Sequence, residues 1–106
     1  MTLREVIEAA AAEYGLEARV EEAGDGSLVW SRGNQVFAAL SADGTTVSFL
    51  LDPLVAGAAT RTPDVRPSSR GRGWVEMQPR VVDGHAADRA GAWFLSAHRR
   101  LMGPGA

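Results

Sequence analysis

Apolar residues first recur at Leu3, Val6, Ile7, Ala10 and Tyr14, the three-and-four spacing that gathers side chains on one face of an α-helix. Thr2 and Glu5 stand three apart at the start of this run, the spacing of a capping box in which each side chain satisfies a free backbone N–H. Gly15 is placed to end it, so a helix is predicted over 3–14. From Glu17 to Asp52 the pattern shortens to alternating segments separated by Gly24-Asp25-Gly26, Gly33-Asn34 and Asp43-Gly44, residues that tolerate the positive φ of tight hairpins. Four antiparallel strands are predicted, near 18–22, 27–32, 35–41 and 46–51. Simple alternation puts Val36, Ala38 and Leu40 on one face of the third strand and Phe37 and Ala39 on the other.

Asp52-Pro53 combines an N-cap residue with proline at the first helical position, where its missing N–H costs nothing, and predicts a short helix over 53–59. Residues 60–72 have no period, and Pro63, Pro67, Gly71 and Gly73 mark them as a loop. Trp74 to Val82 reads as a further strand, with Trp74, Glu76 and Gln78 on one side and Val75, Met77 and Val81 on the other. Asp83 then caps a helix whose apolar stripe is Ala86, Ala90, Trp93, Phe94, Ala97 and Leu101. Arg99 and Arg100 face its negative C-terminal end, and Gly103-Pro104 terminates it. The expected architecture is a single α+β domain over 1–106: N-terminal helix, antiparallel meander of four strands, short helix, long loop, further strand, and a C-terminal helix packed on one sheet face.

Composition narrows the function classes. The chain has 106 residues, 45% of them apolar and 23% charged, which is enough for one hydrophobic core. It has no cysteine, which removes disulfides, thiolate nucleophiles and cysteine-based metal sites. No run is apolar enough for a membrane span, and Arg4, Glu5 and Glu8 break a signal-peptide pattern, so a cytoplasmic location is expected. All eleven basic residues are arginine. Residues 1–60 hold three arginines against nine acids and residues 61–106 hold eight against four, so a net −2 divides into −6 and +4. Such asymmetry suits an anion-binding face, or two halves that pair with one another.

Three segments, "NQVFAALSADGTTVSFLLDP", "RGWVEMQP" and "AWFLSAHRRL", together with this order of elements, resemble the MmcQ/YjbR-like family of small bacterial domains. The resemblance covers most of residues 28–101. It implies a fold like that of type III secretion chaperones and a DNA-binding role of the "double-wing" kind. Phe49, Leu50 and Leu51 stand in the strand after the hairpin where many members carry a lysine, a departure that counts against that role.

Catalytic chemistry finds little support in the residues. His85 and His98 lack the four-residue spacing of a helical metal pair. Ser68 and Ser69 have no G-x-S-x-G or S-x-x-K companion motif. Gly71-Arg72-Gly73 leads into a strand rather than joining a strand to a helix, so it fits neither Walker nor dinucleotide-binding geometry. An enzyme would need His85, Asp83 or Asp88 to meet the loop serines or arginines in a cleft. No cofactor and no metal site are expected. The arginine loop is the stronger candidate: Arg61, Arg66, Arg70 and Arg72, with Trp74 beside them, offer guanidinium donors and a stacking surface. Set against that, the prolines stiffen a surface connector whose arginines pair with the acidic half.

Trp30, Trp74 and Trp93 read as core or core-rim residues. The alanine-rich faces at 9–12 and 86–97 suit tight helix packing or a groove for a partner. The expected function is therefore a non-catalytic binding or adaptor domain that takes a protein partner or small molecule through a sheet–helix groove and the arginine loop. The alternative is DNA binding, which the net charge disfavours, and a small enzyme comes third. An unpaired edge strand leaves both monomer and homodimer open.

Overall fold

A computed structural model of the chain describes residues 1–16 and 18–102. Helix α1 runs Leu3–Tyr14, helix α2 Pro53–Ala59 and helix α3 Gly84–Met102. The strands are β1 (Arg19–Glu22), β2 (Leu28–Arg32), β3 (Gln35–Leu40), β4 (Val47–Leu50), β5 (Val65–Pro67) and β6 (Trp74–Met77). They form one antiparallel sheet in the order β1-β2-β3-β4-β6-β5, which confirms the α+β class. None of the helices among the described residues is long and apolar enough to cross a membrane.

The helix ends follow from the residues named above. The Glu5 N–H donates to Thr2 Oγ1 at 3.1 Å while Thr2 N–H donates to Glu5 Oε1 at 2.9 Å, closing the capping box. Gly15 takes φ +61°, the left-handed conformation that a helix C-terminus needs and that glycine adopts without a Cβ penalty. Asp52 Oδ1 accepts from the Leu54 N–H, and Asp83 Oδ1 from the Ala86 N–H. The predicted stop at Gly103-Pro104 lies outside the described residues.

Three sequence expectations need correction. The stretch read as a loop over 60–72 contains β5, which pairs with β6 to complete the sheet edge. The strand expected to run from Trp74 to Val82 stops at Met77, and Val81 is 68% exposed rather than turned into the core. Simple alternation also fails in β3. Trp30 pairs with Ala38 and Ser31 with Val36, so Phe37 is an extra residue in a β-bulge. A bulge lets two consecutive side chains lean to one side, and both Phe37 and Ala38 enter the core.

The core lies between the sheet and α3, built from Trp30, Phe37, Val47, Phe49, Val75 and Met77 below and Ala86, Ala90, Phe94 and Ala97 above. Helix α1 adds Leu3, Val6, Ile7 and Ala10 and packs chiefly on α3, and α2 covers β5 and β6. Ladder register carries a second row across the far face of the sheet, Glu21, Val29, Ala39, Ser48, Glu76 and Arg66. Apart from Val29 its members are small or charged, which suits a face without helices.

The β3–β4 hairpin is tied by one carboxylate. Asp43 Oδ1 accepts from the hydroxyls of Ser41 (2.6 Å) and Thr45 (2.8 Å) and from the Thr45 N–H (3.1 Å). The Ser41 hydroxyl, followed by the Thr45 donors, pushes its pKa from 3.8 down to about 2. A folded pKa below the unfolded one makes the contribution fully present above the unfolded value and removes it as pH falls through the folded value. An NMR carboxyl titration should therefore show Asp43 remaining ionised through pH 3, with hairpin amides shifting only as pH approaches 2. A midpoint near 3.8 would mean that the three donors do not hold it.

Candidate functional site

The arginine segment is a β-hairpin, not a free connector. The Ser68 N–H donates to the Trp74 carbonyl at 2.9 Å and the Trp74 N–H to the Gly71 carbonyl at 3.2 Å, closing the turn between β5 and β6. On the far face of the sheet, Arg66 forms an ion pair with Glu76, its cross-strand neighbour. The Arg70 guanidinium lies 5.4 Å from the centre of the Trp74 ring, a cation–π distance. Arg72 is exposed in the same turn. Arg66, Arg70, Arg72 and Trp74 are thus brought onto one hairpin.

Arg61 is not part of it. It sits at the end of α2, where its N–H donates to the Ala58 carbonyl, and the turn that follows is pinned from α3 by Arg89, which donates to the Pro63 carbonyl at 2.6 Å. The other arginines of residues 61–106 lie elsewhere: Arg80 beyond the opposite end of β6, and Arg99 and Arg100 in the last turn of α3. Part of the hairpin's charge is already answered. Glu76 faces Arg66. Asp25, whose pKa is lowered first by the Ser27 hydroxyl and then by the Ser27 backbone N–H, receives a smaller lowering from Arg70.

The other candidate groups have structural work. Asp83 caps α3, and Ser68 Oγ accepts from the Arg70 N–H. His98 is buried with its ring 5.5 Å from that of Phe37, and His85 is exposed at the start of α3. The two histidines stand thirteen positions apart on one helix, about 20 Å along the axis, so they cannot share one ligand. Trp30 is core, whereas Trp74 and Trp93 are half-buried.

The space expected to open between sheet and helix is filled by Trp30, Phe37 and Phe94. A concavity of about 580 Å³ lies instead on the outer side of the helix layer, between α1 and α3. Its floor is Val6, Ala10, Ala87 and Gly91. The axes approach closely there, since a methyl placed on Gly91 would stand 3.8 Å from the Ala10 Cβ. Glu5, Ala9 and Glu13 recur every fourth residue along one wall, and Asp88 and Ala92 form the other. Met1 and Tyr14, 72% and 48% exposed, also line it. No arginine lines it. The alanine-rich faces were its trace in the sequence, but local periodicity does not say that those two faces meet.

No family model matches the chain, and no curated protein does. Among solved structures, the fold is similar to that of a protein from Pseudomonas syringae determined as a structural genomics target, at a TM-score of 0.65 and 12% identity over 94% of this chain and 98% of that one. At that identity the likeness is one of fold.

Proposed function

We propose that this chain is a non-catalytic binding domain of the bacterial cytoplasm, related to the MmcQ/YjbR-like family, that recognises a protein partner through the α1–α3 groove. The observation that carries the reading is the groove itself, an apolar floor of small residues between two walls of exposed side chains, with Tyr14 and Met1 left uncovered. Exposed apolar surface rimmed by polar groups is what interaction sites offer. Its volume lies in the range of ligand sites, but both walls face solvent, which suits a chain segment better than a small molecule.

A nucleic-acid reading has one observation in its favour, the grouping of Arg66, Arg70, Arg72 and Trp74 on one hairpin. Glu76 and Asp25 oppose it, because phosphate binding needs unneutralised cations on one face. Amide-shift mapping with a short duplex at low and at physiological salt separates the two. The expected result is no salt-sensitive shift at 66–74. Shifts concentrated there at low salt would move nucleic acid ahead of a protein partner.

A further inference from the structure

We propose that the occupant of the α1–α3 groove is a cationic amphipathic helix of another protein, laid along α1 as a third helix over the pair. The inference rests on the binding-domain reading above and specifies the chemistry of its partner. Two independent features of the groove lead to it.

The first is shape. The lining residues of α1 run from Glu5 to Tyr14, about 14 Å of helix, so an occupant of two and a half to three turns covers the groove. The floor contains nothing larger than Val6, and the small residues Ala10, Ala87 and Gly91 let a third helix approach with ordinary side chains of its own. Apolar residues at i, i+3 or i+4, and i+7 of that helix would meet the floor, which is the helix-in-groove mode of recognition.

The second is charge. Glu5 and Glu13 stand on one wall and Asp88 on the other, all exposed; the lining residues carry no basic side chain, and the cation among them is the Met1 ammonium, which acts on Glu5. The Thr2 backbone N–H and hydroxyl keep the Glu5 carboxyl below its ordinary value. Carboxylates on both sides of an apolar floor match a helix with lysine or arginine on both flanks of its apolar stripe, and repel an acidic one.

The probe is a labelled amphipathic peptide of about eleven residues, leucine and alanine on one face and lysine on both flanks, its three turns set by the groove. It is compared by fluorescence anisotropy with its glutamate counterpart and with a lysine peptide of the same composition in scrambled order. The amphipathic lysine peptide should bind the intact chain more tightly than either. The paired substitution Glu13→Gln with Asp88→Asn should weaken binding about fivefold, the loss of two exposed ion pairs. Ala9→Trp with Ala92→Trp should abolish it by filling the groove. Glu21→Gln with Glu22→Gln, which removes as much charge from β1, should leave it unchanged. Circular dichroism of each variant confirms that the fold persists.

Equal binding of the glutamate peptide, or no effect of the Glu13 and Asp88 pair, would overturn the cationic partner while leaving the groove as a peptide site. Equal binding of the scrambled peptide would reduce the effect to bulk charge and overturn the proposal. Failure of every peptide would overturn this inference and the groove reading together. Self-association in sedimentation that Ala92→Trp abolishes would make the occupant a second copy of the chain, and the proposal would fall.

Discussion

Replacing Phe94 with alanine should cost about 3 to 5 kcal/mol, enough to leave the chain marginally folded at room temperature. Phe94 is fully buried on the sheet-facing side of α3. Its ring meets Trp30 edge-on at 6.1 Å and lies tilted against Phe37 at 5.4 Å, so one side chain bridges β2, the β3 bulge and the helix. Truncation removes the transfer free energy of a whole ring and leaves a cavity that a twisted sheet and a helix cannot close together. Phe94→Leu refills much of that volume and should lose less than half as much. Urea unfolding measures both, and near-ultraviolet dichroism reports the Trp30 environment. A loss below about 1 kcal/mol for Phe94→Ala would mean that the sheet and α3 are not held through this contact.

Gly73→Ala should cost about 3 kcal/mol through a different mechanism. Gly73 has φ +82°, and a Cβ there would stand 2.9 Å from the Leu51 carbonyl oxygen and 3.3 Å from Leu50 Cδ1. The first neighbour is backbone and cannot rotate away. The Gly73 carbonyl also accepts from the Leu51 N–H at 2.9 Å, so relief by moving the strand would break that bond. Gly33→Ala is the control. Gly33 has φ +60° with nothing within 4 Å of the added carbon, and its cost should be the backbone term alone, about 1 kcal/mol. Equal costs at the two positions, measured by denaturant midpoint at unchanged slope, would show that the clash with Leu51 relaxes. Because Gly73 leads into β6 from the turn, the amides of Arg70, Arg72 and Trp74 should also shift more in Gly73→Ala than in Gly33→Ala.

The elements that the sequence announced are those whose signals are local. Thr2, Glu5 and Gly15 fixed both ends of α1, and Asp52-Pro53 fixed the start of α2, because capping depends on residues three or four apart. Strand β5 was hidden because Val65-Arg66-Pro67 buries only Val65, and its extended form comes from pairing with β6. The bulge at Phe37 was hidden for a related reason. Nothing in "QVFAAL" reports which residue of β2 each position will face, and the register settles it.

The arginine hairpin was legible as a cluster in the chain, whereas the separation of Arg61 and the pairing of Arg66 with Glu76 needed the fold. The groove was legible only as two alanine-rich faces. That Ala10 and Gly91 stand opposite one another is a tertiary fact with no local signature.

The packing of α1 on α3 also sets an order of events during synthesis. Helix α1 leaves the ribosome before the sheet and before α3, its chief neighbour, so Leu3, Val6, Ile7 and Ala10 stay without that cover until α3 has been made. Loop closure over that distance comes late and slowly, while the β1 to β4 hairpins close on their own. A nascent chain arrested before Phe94 thus presents a sheet without its lid and a helix without its partner, a species for chaperones and proteases rather than a half-built domain.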